Sequence, residues 1–167
     1  MKYQEIEGDL ITSALEGKFD VIAHGCNCFN SMGAGIAVPM AKTFDCNEMG
    51  LEQRRHYGES NKLGQIEFKK HMLNLRDWIF VVNAYTQYQP GANLDYEALT
   101  LCLRKINHQF KGNHIGLPLI GCGLGGGVWD KNLLESPETD FYRDKDVKTI
   151  IQDELRDMDV TIVHFKE

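Results

Sequence analysis

The stretch GLPLIGCGLGGGVWD, residues 116–130, joins a short apolar run to a loop with five glycines between positions 121 and 130. Glycine weakens the interior of a helix or strand, so such a cluster indicates backbone with positive φ or a very close approach by another group. A second stretch, VIAHGCNCFNSMGAGIAV at residues 21–38, has the same form. Neither loop offers a cation, because residues 24–38 and 112–130 contain no lysine or arginine.

The chain around these stretches alternates strand-like and helix-like segments. Short apolar runs predict strands at 2–6, 19–25, 64–71, 77–87, 114–121 and 159–165, and the run at 77–87 is apolar enough to be central in a sheet. Amphipathic patterns predict helices at 9–17, 35–44, 47–58, 94–110 and 146–158. This alternation predicts an α/β fold, a three-layer α/β/α sandwich around a mixed, largely parallel sheet.

One predicted helix, 94–110, has a distinct apolar face. Helical spacing places five residues on it: Leu94, Ala98, Leu101, Cys102 and Ile106. We expect this face to pack on the sheet.

Length and composition predict a single domain over residues 1–167. The polar, acidic segment between Trp129 and Val147 has no stable period, so we expect a surface insertion at 131–146. Hydrophobic residues make up 43% of the chain and charged residues 25%, and no apolar run is long enough to span a bilayer. The N-terminus lacks the features of a secretory signal, which predicts a cytoplasmic protein.

Charge and cysteine content narrow the classes of ligand. The net charge of −6 argues against non-specific nucleic-acid binding, because no excess of cations is present to displace counterions from phosphates. Five cysteines, an odd number in apolar or glycine-rich surroundings, are typical of reduced thiols. Cys26 and Cys28 form a C-x-C pair without a second pair at zinc-site spacing, so we expect no metal.

The two glycine-rich stretches predict a shared cleft. Ligands of open α/β sheets bind at the carboxyl ends of the strands, and both stretches follow predicted strands. A pyrophosphate there is held by backbone N–H groups and a helix N-terminus, which bind anions without a cation. Tight turns alone are the alternative use of these glycines. The letters GCGLGG also match the dinucleotide fingerprint, but they lie too late in the chain for the rest of that unit.

The motifs GDL (8–10), HGCN (24–27), GAGIA (33–37) and GLPLIGCGLGGGVW (116–129) resemble those of the macro domain family, the ADP-ribose-binding α/β/α module. The stretch AHGCNCFNSMGAGIA, residues 23–37, is more closely similar to the branch of ADP-ribose 1''-phosphate phosphatases and terminal ADP-ribose glycohydrolases. The resemblance covers most of the chain, from Tyr3 to Phe165.

The resemblance implies a set of ligand contacts. Asp9 and Leu10 contact the adenine, although Asp9 is also a good helix N-cap. Asn27 binds the hydroxyls of the distal ribose, although it is also suited to a turn. The pyrophosphate lies against Gly33, Ala34, Gly35, Ile36 and Ala37. From the other side, the distal ribose and phosphate contact Gly121, Cys122, Gly123, Leu124, Gly125 and Gly126.

The candidate catalytic groups favour phosphatase chemistry over glycohydrolase chemistry. The glycohydrolase branch uses a lysine and an aspartate after CGL, whereas residues 83–99 here contain no lysine and Gly125 follows CGL. Asp130 is placed to orient water as a general base, with Asn27 fixing the ribose and His24 as a candidate acid. A structural, hydrogen-bonded role is the alternative for His24.

These observations predict a cofactor-independent protein that binds ADP-ribose and hydrolyses ADP-ribose 1''-phosphate to ADP-ribose and phosphate. Two alternatives remain open. One is an ADP-ribosyl hydrolase that removes ADP-ribose from modified macromolecules, and the other is a non-catalytic ADP-ribose reader.

Overall fold

The computed structural model describes residues 2–48, 58, 60–134 and 143–166 of the chain. In these residues the strands are β1 (Tyr3–Gly8), β2 (Val21–Asn27), β3 (Ile66–Met72), β4 (Trp78–Gln87), β5 (His114–Leu117) and β6 (Asp159–Phe165). The α-helices are α1 (Leu10–Leu15), α2 (Ala37–Phe44), α3 (Tyr96–Gln109) and α4 (Val147–Glu154). Short 3-10 turns lie at Cys46–Glu48, Ser60–Lys62 and Lys131–Leu133.

The strands form a single mixed sheet in the order β1-β6-β5-β2-β4-β3. All neighbouring pairs are parallel except β3 with β4, which is antiparallel. The carboxyl ends of β2, β4, β5 and β6 therefore meet at one edge of the sheet, where their following loops can build a common site.

Helices cover both faces of the sheet. Apolar side chains of α1 and α2, including Leu10, Met40 and Phe44, pack with Ile22 and Val81 of the sheet. Those of α3 and α4 pack on the opposite face in the larger cluster, which also contains the β5 residues Ile115 and Leu117. The three-layer α/β/α sandwich expected from the sequence is thus confirmed.

Three helices begin at aspartates that cap them. Asp9 accepts a hydrogen bond from the Thr12 backbone N–H at 3.0 Å. Asp95 and Asp146 cap α3 and α4 in the same way. A carboxylate at this position satisfies backbone donors that have no partner within the helix, so these residues set where the helices begin.

The face expected for the helix at 94–110 is partly wrong. The buried stripe of α3 contains Ala98, Leu99, Cys102, Leu103 and Ile106, whereas Leu101 is 43% exposed. Leu101 falls outside a stripe that repeats at i, i+1, i+4, i+5 and i+8, so it faces solvent.

Two other expectations concern segments that lie largely beyond the described residues. Most of the predicted helix at 47–58 lies outside them, and so do residues 135–142 of the predicted insertion.

Candidate functional site

A cleft of about 950 Å³ lies at the carboxyl ends of the parallel strands. Five parts of the chain line it. They are residues 9–12 after β1; residues 25–27, 31–37 and Pro39 at the end of β2 and beyond; Thr86, Gln87, Pro90 and Gly91 at the end of β4 and beyond; residues 118–125 after β5; and Val163 and Phe165 of β6. Its volume is at the upper end of the range for small-molecule and cofactor sites. The lining is mainly apolar, and its described residues include no lysine or arginine.

The end of the cleft beside β1 and β6 combines a carboxylate with an exposed aromatic ring. Asp9 uses Oδ1 to cap α1, while its Oδ2 accepts no hydrogen bond from the described residues. Phe165, at the end of β6, is 72% exposed. A flat apolar surface next to a free hydrogen-bond acceptor is suited to a heterocyclic base that carries an amino group.

The first glycine loop, residues 28–36, connects β2 to α2. Asn27 organises its start, because its Oδ1 accepts from the backbone N–H groups of Phe29 and Ser31, and its Nδ2 donates to the Ser31 carbonyl. The backbone N–H groups of Gly33, Ala34 and Gly35 donate no hydrogen bond to the described residues. This stretch therefore presents unpaired donors just before a helix N-terminus.

The second glycine loop, residues 118–127, follows β5. Gly121 and Gly126 have φ of +73° and +76°, values that L side chains rarely adopt. The Gly121 carbonyl accepts from the Gly127 N–H at 2.8 Å, which folds the loop back on itself. The N–H groups of Gly123, Leu124 and Gly125 donate to none of the described residues. A second set of unpaired donors thus borders the same cleft.

The two sets of amides have the properties of an anion site without cationic side chains. Clustered backbone N–H groups and a helix N-terminus carry partial positive charge, which favours phosphate oxygens. Burial raises the pKa of the Cys122 thiol to about 12, so this cleft residue is neutral. Asp9 is the single carboxylate among the described residues that line the cleft.

Sequence and structure comparisons place the chain among known proteins. An uncharacterized 17.5 kDa protein of Enterobacteria phage T4 is 38% identical over an alignment of 131 residues, and the match covers 75% of this chain and 81% of the phage protein. The chain belongs to the same family as this phage protein. No protein-family model matches the chain.

Solved structures show the fold. The macrodomain of Thermus aquaticus DarG superposes with a TM-score of 0.67 at 20% identity, covering 99% of this chain and 98% of that one. Thermosipho africanus DarTG in complex with ADP-ribose gives a TM-score of 0.69 at 17% identity, covering 98% of this chain and 42% of that one. The chain has the macrodomain fold.

Most of the ligand contacts expected from the sequence line the cleft. They are Asp9, Leu10, Asn27, Gly33, Ala34, Gly35, Ile36, Ala37, Gly121, Cys122, Gly123, Leu124 and Gly125. Gly126 does not line the cleft; it is packed against Ala92, and its N–H donates to the Gly123 carbonyl. Asn27 lines the cleft, but it holds the first glycine loop through its amide, which is the turn role left open by the sequence.

His24 does not line the cleft, so its position does not support the expected role of a catalytic acid. The imidazole is completely buried, and its Nε2 is 2.7 Å from Asn83 Oδ1. The sulfur atoms of Cys26 and Cys46 lie 3.4 and 3.6 Å from the same nitrogen. Burial lowers the pKa of His24 to about 4, which keeps the ring neutral. These contacts support the structural role.

Asp130 does not line the cleft either, so its position does not support the expected role of a general base. Its Oδ1 accepts from the Asn132 N–H and caps the 3-10 turn at Lys131–Leu133. Its Oδ2 lies 3.7 Å from Lys148 Nζ, which also pairs with Glu5 on β1. The chain no longer lines the cleft after Gly125, and Val128 and Trp129 accept hydrogen bonds from the first residues of α4. Proximity in sequence to the glycine loop therefore did not mean proximity to the cleft.

The sequence interpretation missed the contribution of β4. Thr86 and Gln87, at the end of this strand, line the cleft beside the first glycine loop, because β4 is the neighbour of β2 in the sheet. Gln87 Nε2 donates to the carbonyls of Gln89 and Gly91 and thereby holds the following loop. The sequence did contain a signal, a pair of polar residues at the end of an apolar strand that was predicted to be central in the sheet. Parallel strands end at the same edge of a sheet, so these residues could have been expected beside the two glycine loops.

Two absences hold for the part of the chain that the structure describes. No helix there is long and apolar enough to cross a membrane. No group of three or more His, Cys, Asp or Glu side chains there has a geometry that could hold a metal ion.

Proposed function

We propose that this macrodomain binds ADP-ribose in the cleft and hydrolyses ADP-ribose 1''-phosphate to ADP-ribose and inorganic phosphate. One observation carries the binding proposal. Two sets of backbone N–H groups without acceptors, at 33–35 and 123–125, border the same cleft, and the described residues that line this cleft include no lysine or arginine. Backbone donors of this kind bind a pyrophosphate through its oxygens. The complex of Thermosipho africanus DarTG with ADP-ribose, a structure of the same fold, supports the choice of ligand.

The ligand is oriented by the two ends of the cleft. Asp9 Oδ2 accepts a hydrogen bond from the adenine amino group, and the exposed ring of Phe165 packs against the base. The distal ribose then lies toward Asn27 and the second glycine loop, at the ends of β2 and β5. This orientation places a 1''-phosphate near the N–H groups of Gly123 and Gly125.

Hydrolysis at this position depends on backbone N–H groups that stabilise the charge of the transition state. Water attacks the phosphorus atom, the bond between phosphorus and the 1''-oxygen breaks, and the 1''-oxygen takes up a proton to give ADP-ribose. Phosphoryl transfer has a loose transition state that requires positioning and charge stabilisation more than covalent help. The unpaired amides of the second loop can supply that stabilisation to the equatorial oxygens.

A non-catalytic reader is the second candidate, and one observation favours it. His24 and Asp130 both lie outside the cleft, and the remaining carboxylate in its described lining, Asp9, is at the base-binding end. A site without an acid or base near the scissile bond binds its ligand without accelerating proton transfer.

A phosphorus NMR time course with ADP-ribose 1''-phosphate separates the two candidates. The proposal predicts growth of the inorganic phosphate signal, whereas a reader shifts the ligand signals and releases no phosphate. Gly123→Val is the matched binding-deficient variant. No atom lies within 4 Å of the position that a Cβ atom on Gly123 would take, and the φ angle of Gly123 is not left-handed. The valine side chain therefore fits without backbone strain, and it occupies open space at the lining of the cleft where the ligand is expected.

The control variant is Leu75→Ala, at a hairpin tip where Leu75 is 99% exposed. It should behave like the wild type. Phosphate release that persists unchanged in Gly123→Val would place the reaction elsewhere and contradict the proposal.

A further inference from the structure

The second glycine loop folds around one side chain, that of Leu94, which lies between β4 and α3. A Cβ atom on Gly121 would lie 2.8 Å from Leu94 Cδ1, and one on Gly127 would lie closer still to Leu94 Cδ2. Both distances are shorter than real Cβ contacts, so the loop backbone packs directly on the leucine where these glycines stand. The Gly127 N–H donates to the Gly121 carbonyl, so the loop closes over the leucine side chain.

Backbone hydrogen bonds join the same segment to the loop. The Leu94 N–H donates to the Gly125 carbonyl at 3.1 Å, and Gly125 is part of the cleft lining. Two residues farther along, the Tyr96 hydroxyl accepts from the Val128 N–H at 2.8 Å. The loop is therefore tied to the start of α3 both at its ligand-facing part and just beyond its end.

The segment that carries Leu94 is itself anchored on both sides. The Asp95 N–H donates to the Thr86 carbonyl at the end of β4. The Asp95 carboxylate caps α3 by accepting from the N–H groups of Glu97 and Ala98. Leu94 thus projects from backbone that the sheet and the helix hold in place.

The glycines of the loop fall into a supported side and a ligand-facing side. On the supported side, the Cβ position of Gly126 lies 2.9 Å from Ala92 Cβ, and neither Gly126 nor Gly127 lines the cleft. On the other side, Gly123 faces open space, and the N–H groups of 123–125 donate to none of the described residues. Packing on the supported side therefore determines where these free N–H groups point.

This support matters because of the glycine content. Glycine has more backbone freedom than any other residue, so a loop with so many glycines loses much entropy when it becomes ordered. Ordering that occurs during binding weakens affinity, whereas a loop already held in its bound shape avoids that loss. The contacts with Leu94 form when the protein folds, so they order the loop before a ligand arrives.

We propose that Leu94 is a positioning residue for the ligand site. Its side chain does not line the cleft, and it acts by holding the N–H groups of 123–125 in the orientation that binds the ligand. This inference rests on the proposed function, because it takes those N–H groups to contact ADP-ribose. It gives a role in binding to a side chain that the ligand does not touch.

Calorimetric titration with ADP-ribose of the wild type, Leu94→Ala and Leu103→Ala tests the role. Leu103 is the matched control, because it is a fully buried leucine of α3 in the apolar cluster against which Leu94 packs, and it does not line the cleft. Both variants lose stability through a cavity. Leu94→Ala should weaken ADP-ribose binding about tenfold, whereas Leu103→Ala should bind ADP-ribose like the wild type.

Two further variants keep the test decisive if Leu94→Ala does not fold. Leu94→Val removes less of the side chain and should weaken binding about threefold. Leu94→Met keeps nearly the volume of leucine, so it should restore binding to within about twofold of the wild type. Wild-type affinity in Leu94→Val would overturn the role of Leu94.

NMR relaxation of the backbone amides in the ligand-free protein measures the order of the loop. Leu94→Val and Leu94→Ala should increase motion at the amides of 123–125 and leave the first glycine loop, at 33–35, unchanged. A general loosening of the core would affect both loops, and Leu103→Ala would then show the same increase. Unchanged motion at 123–125 in a folded Leu94→Ala would overturn the inference.

The outcomes separate this inference from the proposed function. If the wild type binds ADP-ribose and Leu94→Ala binds it equally well, the positioning role is overturned and the proposed function stands. Equal losses of affinity in Leu94→Ala and Leu103→Ala also overturn that role. A wild type that does not bind ADP-ribose overturns the proposed function and the inference with it.

Discussion

The side chain of Leu124 contacts Gly35 across the cleft. Its Cδ1 atom lies 3.2 Å from the position that a Cβ atom on Gly35 would take, and Leu124 is 63% exposed. Leu124 belongs to the second glycine loop and Gly35 to the first, so this contact joins the two loops over the space between them. In the proposed complex, the leucine side chain would cover a pyrophosphate bound between the loops.

Leu124→Ala should therefore speed up dissociation of ADP-ribose by about 5- to 10-fold, because truncation removes the cover that slows release. The free energy of unfolding should stay within about 0.5 kcal/mol of the wild type, since the side chain is mostly exposed. Stopped-flow displacement of a fluorescent ADP-ribose analogue measures the rate. The control is Leu133→Ala, because this leucine is 79% exposed and does not line the cleft. Equal rates of ADP-ribose dissociation in the two variants would show that the contact between Leu124 and Gly35 does not retain the ligand.

Asp9 has two roles that two substitutions separate. Asp9→Ala loses the cap hydrogen bond to Thr12 N and should lower the free energy of unfolding by about 1 kcal/mol. Asp9→Ser retains a capping oxygen but shortens the side chain, so stability should be close to the wild type while ADP-ribose binding weakens about tenfold. Calorimetric titration and chemical denaturation measure the two effects. Wild-type affinity in Asp9→Ser would limit Asp9 to its capping role.

The buried imidazole of His24 predicts a pH dependence of stability. Its pKa falls from 6.5 to about 4 on folding, because burial disfavours the charged ring. The unfolded state therefore binds the proton more readily, and the stabilisation present above pH 6.5 is lost as the pH falls toward 4. The loss is up to about 3 kcal/mol. Denaturation at a series of pH values measures it.

The NMR titration of the folded protein is the direct check on His24. The ring should remain neutral at pH 5, and the affinity for ADP-ribose between pH 5.5 and 8 should not follow an imidazole titration, because His24 does not line the cleft. A His24 ring that titrates near pH 6.5 in the folded state would contradict its complete burial.

Asp130→Asn should leave ADP-ribose binding and phosphate release unchanged. The carboxylate caps a 3-10 turn and pairs with Lys148, outside the cleft lining, and asparagine retains a capping oxygen. The free energy of unfolding should fall by less than about 1 kcal/mol, as expected for a partly exposed ion pair. A large drop in the rate of phosphate release at unchanged affinity would restore Asp130 as a catalytic group.

The sequence predicted the fold and most of the cleft because both depend on local patterns. Apolar runs marked the parallel strands, and the glycine stretches marked the loops at their carboxyl ends. The cap at Asp9 could be predicted since it requires only residues 9–12. The fold therefore followed from periodicity, and the cleft from where strands end.

The errors arose where the position of a side chain depends on distant residues. Asp130 comes three residues after the second glycine loop, but its carboxylate caps the turn at Lys131–Leu133 and pairs with Lys148 of α4. The surroundings of His24 come from Asn83 and Cys46, which are 59 and 22 residues away. Thr86 and Gln87 went unnoticed because only the assembled sheet brings the end of β4 to the cleft.

The measurement that tests the central claim most directly is a titration of the ¹⁵N-labelled protein with ADP-ribose, followed by amide NMR. Hydrogen bonds from the backbone to the pyrophosphate and the distal ribose predict large, saturable shifts at the amides of 33–35 and 123–125, with small shifts in the β3–β4 hairpin. Saturable shifts confined to residues away from both glycine loops, or no shifts at millimolar ADP-ribose, would contradict the account.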